Sequence, residues 1–298
     1  SSTEALSLAS VPQRMVVVGA GAIGLELGSV WNRLGAEVVV VEFMDHILPG
    51  TDRETSTLLQ RLLKRQGLEF RLQSSARHAV VKDGKVHLTV AGEDGETEEE
   101  CDRVLVAIGR RPFSAGLGLE GAGVEVDEKG FVQVDENYQT NVDGIFAIGD
   151  LIPGPMLAHK AEEEAVAAVE RMAGKAGHVN YNAIPNVVYT HPELASVGMT
   201  EEAASTAGME FKSGKYLFRA NARAHCMDMI DGHVKIISDA NTDRLLGMHI
   251  IGPQASHLIA EGAVAIEFAS SVEDLARSVH AHPTLSEVIK EAAWALQD

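Results

Sequence analysis

The chain has 298 residues, 45% hydrophobic and 23% charged, an ordinary globular composition with room for two or three domains. Its formal net charge is −18, from 25 basic against 43 acidic residues, and with no basic patch this excludes nucleic acid and anionic membrane partners. No apolar run approaches the roughly 20 residues needed to cross a bilayer.

The polar opening "SSTEALSLASVPQR" has neither a charged leader nor a long apolar stretch, so it is no signal peptide. It runs almost directly into a strand and reads as a point inside a longer protein. Segment 14–42 follows as strand, glycine turn, helix, strand. Met15–Val18 and Val38–Val41 are continuous β-branched runs of the kind buried in parallel sheets. Ile23, Leu27, Val30, Trp31 and Leu34 recur between them at helical spacing, and Gly35 ends that helix. A second helix is predicted over 53–66, then a strand in "LEFRLQ". "HAVVKDG" and "KVHLTV" predict a hairpin turning at Asp83-Gly84, and "DRVLVAIGRRP" a buried strand stopped by proline.

From 113 to 180 glycine content rises. "GIFAIGD" is predicted as one strand, and 155–175 as a helix with Leu157, Ala161, Ala165, Ala168 and Met172 on its apolar face. From 181 strands precede helices, the mark of an α+β unit. Strands are expected near 211–218, 233–238 and 245–251, with helices near 255–269, 272–278 and 284–296. Cys101 and Cys226 are far apart, without metal-ligand or CxxC spacing, and read as two reduced thiols.

Gly19, Gly21 and Gly24 form GxGxxG between a strand and a helix. Such a turn lets a pyrophosphate approach the backbone and meet the helix N-terminus. Glu42, at the end of the second strand and near the 20-residue spacing of the pattern, suits both ribose hydroxyls of an adenosine. "FMDHILPG" after it holds no arginine or lysine for a 2′-phosphate, which favours NAD over NADP. Glu26 is a secondary candidate near the nicotinamide, or a carboxylate interacting with the helix dipole. Asp150, at the end of "TNVDGIFAIGD", can accept hydrogen bonds from a ribityl chain, or serve a turn or cap.

In order, "GAGAIGLELG", "VVEF", "VAIGRRP", "TNVDGIFAIGD", "GPMLAHKAEEE", "YTHPELASVG" and "HAHPTLSE" resemble the dihydrolipoamide dehydrogenase family of flavin disulfide reductases. The resemblance runs over essentially the whole chain. Glutathione reductase shares the final His-Pro-Thr and Glu but carries basic residues after the second strand. Mercuric reductase adds a terminal cysteine pair that this sequence does not show.

The resemblance implies an α/β fold: a Rossmann-type NAD-binding domain (1–112), a central domain (113–180) with the second part of an FAD site, and an α+β interface domain (181–298) that forms a homodimer. It implies NAD on Gly19, Gly21, Gly24 and Glu42, with Glu26 and Gly109 toward the nicotinamide. FAD would meet Asp150, Met156, Leu157, Ala158 and His159. The family's partner is the lipoyl-bearing protein of 2-oxoacid dehydrogenase complexes, in the mitochondrial matrix or bacterial cytoplasm. Electrons pass in the family from dihydrolipoamide to a disulfide, to FAD and to NAD.

His282 would remove a thiol proton across the dimer interface, with Glu287 holding its far nitrogen. Thr284 and Glu287 also fit a capping box, in which Glu287 returns to the Thr284 N–H. His280 is read as structural. The family's first GxGxxG and its CxxxxC pair do not occur in these residues, so the sequence resembles that enzyme without its first domain. Alone it is expected to be inactive; the alternative is a non-catalytic NAD-binding and dimerisation module. "ANARAHCMDMIDG" (220–232) and Ala165 depart from the family pattern.

Overall fold

A computed structural model of the chain describes residues 1–93 and 95–297, which divide into two compact units, 1–108 with 182–298, and 109–181. The first unit opens with a short helix, α1 (Ser2–Ala5), strand β1 (Arg14–Val18), helix α2 (Ala22–Arg33) and strand β2 (Glu37–Val41). Helix α3 (Arg53–Arg65) and strand β3 (Leu68–Arg71) follow, then β4 (Ser75–Lys82), β5 (Lys85–Gly92), β6 (Gly95–Cys101) and β7 (Arg103–Val106). β3-β2-β1-β7 form a parallel sheet, while β4-β5-β6 form an antiparallel meander. The strand order turns back at β1, so ligands are expected beyond its carboxyl end.

Alternation explains why the β-branched runs fold this way. Val17, Val38 and Val40 point to a core shared with Leu25, Trp31, Leu59 and Leu63 of α2 and α3. Val16, Val39 and Val41 point to the opposite core, with Leu88, Val90 and Cys101 of the meander. A strand covered on both faces has no place for a polar residue. Each fully buried valine or leucine stabilises the unit by roughly 1.5–3 kcal/mol. The predicted hairpin turns at Asp83 and Gly84, both at positive φ (51° and 80°), as a tight β-turn of this hand requires.

Two expectations are corrected in this region. The buried face of α2 is Gly24, Leu25, Gly28, Ser29 and Trp31, while Val30 and Leu34 are exposed. β6 was not expected; its run of glutamates is polar on the face turned from the core, with Glu99 and Cys101 buried.

The second unit holds α4 (Leu119–Ala122) and α5 (Ala158–Met172) around a small core of Val124, Val132, Tyr138, Ala147, Ile152, Ala167 and Ala168. Residues 144–148 are not a strand. Gly144 and Gly149 take positive φ (77° and 68°), and only an isolated bridge pairs Gln139 with Phe146 before a 3₁₀ turn at Gly149–Leu151. The buried face of α5 is also not the apolar one expected: Lys160 and Glu164 lie inside with Ala167 and Ala168, while Met172 is exposed.

The chain returns to the first unit with β8 (Asn186–Val188), β9 (Glu193–Gly198), α6 (Glu201–Thr206), β10 (Phe211–Leu217), α7 (Ala222–Cys226), β11 (His233–Asp239) and β12 (Leu245–Gly252). Three helices close it: α8 (Ala255–Glu267), α9 (Val272–Arg277) and α10 (Glu287–Trp294). The antiparallel sheet runs β10-β11-β12-β9-β8. α8, α9 and α10 pack with it around Ile236, Met248, Ile259, Leu275 and Ile289. Val188, Leu194 and Ile251 join the core of α2 and α3, so parallel and antiparallel parts share one interior. The last helix starts two residues later than a Thr284 cap would give, with Ser286 as its N-cap. Among the described residues no helix is long and apolar enough to cross a membrane.

Candidate functional site

The glycine turn is fixed by close approaches that exclude side chains. A Cβ on Gly24 would lie 2.1 Å from the Gly19 carbonyl oxygen, and one on Gly19 (φ 105°) 2.5 Å from the Ala107 carbonyl oxygen. Around Gly21 nothing lies within 4 Å, so the middle glycine faces open space. Helix α2 begins at Ala22 with Gly21 as its cap and no side-chain cap bond. Its first-turn N–H groups therefore have no side-chain acceptor, as an incoming pyrophosphate requires.

Glu42 is buried at the edge of this turn. Its Oε2 accepts the Ala20 N–H at 2.7 Å and its Oε1 the Met44 N–H at 2.8 Å. Each carboxylate oxygen has a second acceptor site, so Glu42 fixes the turn and can still receive ribose hydroxyls. Gly19, Gly21, Gly24 and Glu42 thus lie at one turn, whose open glycine and spare acceptor sites fit a dinucleotide.

Glu26 lies beyond the first turn of α2, so the helix-dipole reading has no basis. Its Oε1 accepts the Tyr189 N–H at 2.8 Å, tying α2 to the chain after β8. Sequence reading also missed Arg53, which folds back onto Asp45 with two hydrogen bonds (3.0 and 2.6 Å), beside a His46–Asp45 contact of 2.6 Å. Arg53, and after it His46, holds the Asp45 carboxyl well below the usual range. The cation nearest in sequence to the post-Glu42 loop is already engaged.

In the second unit, Gly109 takes φ 132°. Arg110 binds the Asp150 carboxylate through Nη2 and donates through Nη1 to the Met156 carbonyl at 2.9 Å. This links Asp150 to the start of the 156–159 segment. Helix α5 has Leu157 as its cap and no side-chain cap bond. Gly149, just before Asp150, is gripped from both sides by α5: its N–H donates to Glu164 Oε2 (2.7 Å) and its carbonyl accepts from Lys160 Nζ (3.1 Å). Lys160 and Glu164 are themselves paired at 3.0 Å with no side-chain exposure. Burial, then Tyr138 and Glu164, push the Tyr181 hydroxyl up, so it stays protonated and donates to Glu164 at 2.8 Å.

At the start of the last helix, Glu287 divides its oxygens. Oε1 meets His282 Nδ1 at 2.9 Å and Oε2 accepts the Thr284 N–H at 2.8 Å. Glu287 thus reaches both His282 and the Thr284 N–H, but Thr284 is not the cap of α10, so the full capping box does not form. The Thr284 N–H, with His282 beyond it, holds the Glu287 carboxyl below its ordinary value. An ionised Glu287 can only accept, so Nδ1 carries the proton and Nε2 is left as a base. The His282 side chain is 72% exposed, open to a reactant or another surface. His280 is held by Glu261 at 2.7 Å and by the Ser278 carbonyl at 3.1 Å, in keeping with a structural role. Cys101 is buried, Cys226 is exposed, and neither forms a disulfide.

Residues 1–165 match the family model "Pyridine nucleotide-disulphide oxidoreductase", and 184–293 match the dimerisation domain of that family. The chain is 52% identical over its full length to a mitochondrial dihydrolipoyl dehydrogenase of Pisum sativum and covers 60% of that protein. It is 52% identical to the mitochondrial enzyme of Mus musculus, over 99% of this chain and 59% of the relative. A leghemoglobin reductase of Glycine max is 51% identical over the whole chain and 57% of its own length. The chain therefore spans about 60% of the length of these relatives.

Among solved structures, LpdA from Mycobacterium tuberculosis superposes with TM-score 0.88 at 30% identity, covering 96% of this chain and 62% of that one. The HOCl-induced flavoprotein disulfide reductase RclA from Escherichia coli superposes at 0.89 and 26% identity, over 98% of this chain and 66% of that one. With more than half of its residues matched by one family model and most of the rest by its companion, the chain belongs to the pyridine nucleotide-disulphide oxidoreductase family, dimerisation domain included.

Proposed function

We propose that this chain supplies the NAD site, the second part of the FAD site and the dimer face of a dihydrolipoyl dehydrogenase. The observation that carries the reading is the pairing of a built dinucleotide turn, Gly19–Gly24 with Glu42, and a histidine base oriented by Glu287 in the same chain. Gly19, Gly21 and Gly24 receive the pyrophosphate, Glu42 the adenosine ribose, and Glu26 and Gly109 lie toward the nicotinamide. Asp150 and the 156–159 segment meet FAD, which when bound supplies the electron relay between a thiol pair and NAD. His282 takes a thiol proton on Nε2, and Glu287 stabilises the imidazolium. The 52% identity to enzymes named for this activity supports the assignment.

The domains divide at 1–112, 113–180 and 181–298, and the last forms a homodimer that presents His282 to its partner. The electron donor is the dihydrolipoyl group of a lipoyl-bearing protein, and the mitochondrial relatives favour the mitochondrial matrix. The 298 residues alone hold no CxxxxC pair, so as a separate polypeptide they act as a dinucleotide-binding, dimerising module.

The assay is NADH formation from dihydrolipoamide. The chain joined behind an FAD domain with a redox cysteine pair should turn over, and His282→Ala should lower the rate by about 10²–10⁴-fold. The 298 residues with added FAD should form no NADH. A joined protein indifferent to His282→Ala would overturn the assignment.

A further inference from the structure

Ten residues, 43–52, lead from Glu42 at the end of β2 up to and including Asp52, the cap of α3. This 43–52 loop has no regular structure, and Leu48 within it takes a positive φ of 52°. A leucine in the left-handed region persists only where its surroundings over-determine it. Two of the ties lie at the glycine turn: Leu48 N–H donates to the Ala20 carbonyl at 2.9 Å, and Glu42 joins Ala20 to Met44. Ile47 and Leu48 are buried, so the loop also has an apolar anchor.

The far end is fastened from another part of the fold. Lys235, on β11 of the antiparallel sheet, donates to Asp52 Oδ2 at 2.9 Å and to Glu201 Oε2 at 2.8 Å, with Glu54 at 3.5 Å. The Asp52 side chain is fully buried and the Lys235 side chain only 5% exposed. The second Asp52 oxygen accepts both the N–H and the hydroxyl of Thr55. Burial works against both charges. The Lys235 bond, with the two Thr55 donors, still holds the carboxyl of Asp52 below its usual value, and Glu201 and Asp52 raise Lys235. A buried ion pair adds little net stability over apolar residues of the same shape. Its distinctive contribution is to fix where its partners sit.

We infer that Lys235 is a positioning residue for the dinucleotide site, holding the 43–52 loop in the shape that presents Glu42 to the adenosine ribose. The inference rests on the assignment of Glu42 proposed above. Lys235 touches no ligand; it acts through Asp52 and the loop. Residues of the dimerisation region thereby set affinity at the nucleotide turn.

The test is calorimetric titration of the full chain with ADP-ribose at neutral pH. Lys235→Met should weaken binding by about tenfold, and Lys235→Arg, which keeps the charge and its donors, should restore affinity to within about threefold of the native chain. In a Glu42→Gln background Lys235→Met should have no further effect, whereas a general loosening of the fold would weaken both backgrounds alike. Asp52→Asn with Lys235→Met leaves no lone buried charge and keeps a capping side chain, so it reports even if the single variant does not fold. Native affinity in either Lys235→Met protein, or equal loss in the Glu42→Gln background, would overturn the inference while leaving the nucleotide reading intact. Absence of ADP-ribose binding by the native chain would overturn the nucleotide reading, and this inference with it.

Discussion

Replacing His233 with leucine should flatten the acid side of the stability curve. His233 sits at the start of β11, 2% exposed, and burial lowers its pKa from 6.5 to about 4, although Glu54 and Asp52 pull the other way. Lys215 and Lys235 add to the depression. The Thr55 hydroxyl gives its one proton to Asp52, so His233 Nε2 must donate to Thr55, 3.2 Å away, as a neutral ring. The folded chain thus excludes a proton that the unfolded chain binds below about pH 6.5. Stability is lost as pH falls from about 6.5 towards 4, at about 1.4 kcal/mol per pH unit for this one group.

That amounts to about 2 kcal/mol between pH 7 and pH 5, and roughly 3 kcal/mol over the whole window. Leucine removes the titration at a cost near pH 7 on the order of 1 kcal/mol, because Thr55 keeps its bond to Asp52. Urea unfolding at pH 7 and pH 5, at one fixed protein concentration, should show the native chain losing about 2 kcal/mol more than the variant. Other groups, buried His249 among them, titrate in both proteins and cancel. Equal losses would refute the reasoning.

Two further outcomes follow from the packing. Gly24→Ala places a Cβ against backbone at 2.1 Å, so the chain should lose about 3 kcal/mol in chemical unfolding; an unchanged midpoint would contradict the observed close approach. Lys160→Met leaves Glu164 buried and unpaired, a loss of about 3–5 kcal/mol that Glu164→Gln added to it should largely reverse; faster amide exchange at 146–152 in the single variant reports the same event.

What could be read without coordinates follows the physics of periodicity. β1, β2, β3, β7, β10, β11 and β12 were legible because β-branched runs or alternation survive in a single sequence. The burial of α2 was not, since a helix that must lie close to a sheet buries glycines, and counting apolar residues chose Val30 and Leu34 on its open side. α5 failed for the opposite reason: Lys160 and Glu164 are interior because each satisfies the other and Gly149. The run 144–148 looked like a strand by composition, but left-handed glycines at 144 and 149 break its ladder. β8 and β9 lie around Thr190–Pro192, where a short strand and a proline leave little periodic signal.

Site residues close in sequence, Gly19 to Glu42 and His282 to Glu287, were legible as motifs. Lys235, Arg53 and Arg110 were not, because their partners come from distant or irregular segments. Arg53 could have been found by asking which cation next follows the eight residues after Glu42.

The most direct test is the discrimination between ADP-ribose and its 2′-phosphate analogue by the isolated chain. The native protein should bind ADP-ribose and prefer it on the order of tenfold or more, since a second negative group would meet Glu42 at close range. Glu42→Ala should weaken ADP-ribose and erase the preference. A chain that binds neither, or one whose preference survives without Glu42, would contradict the account.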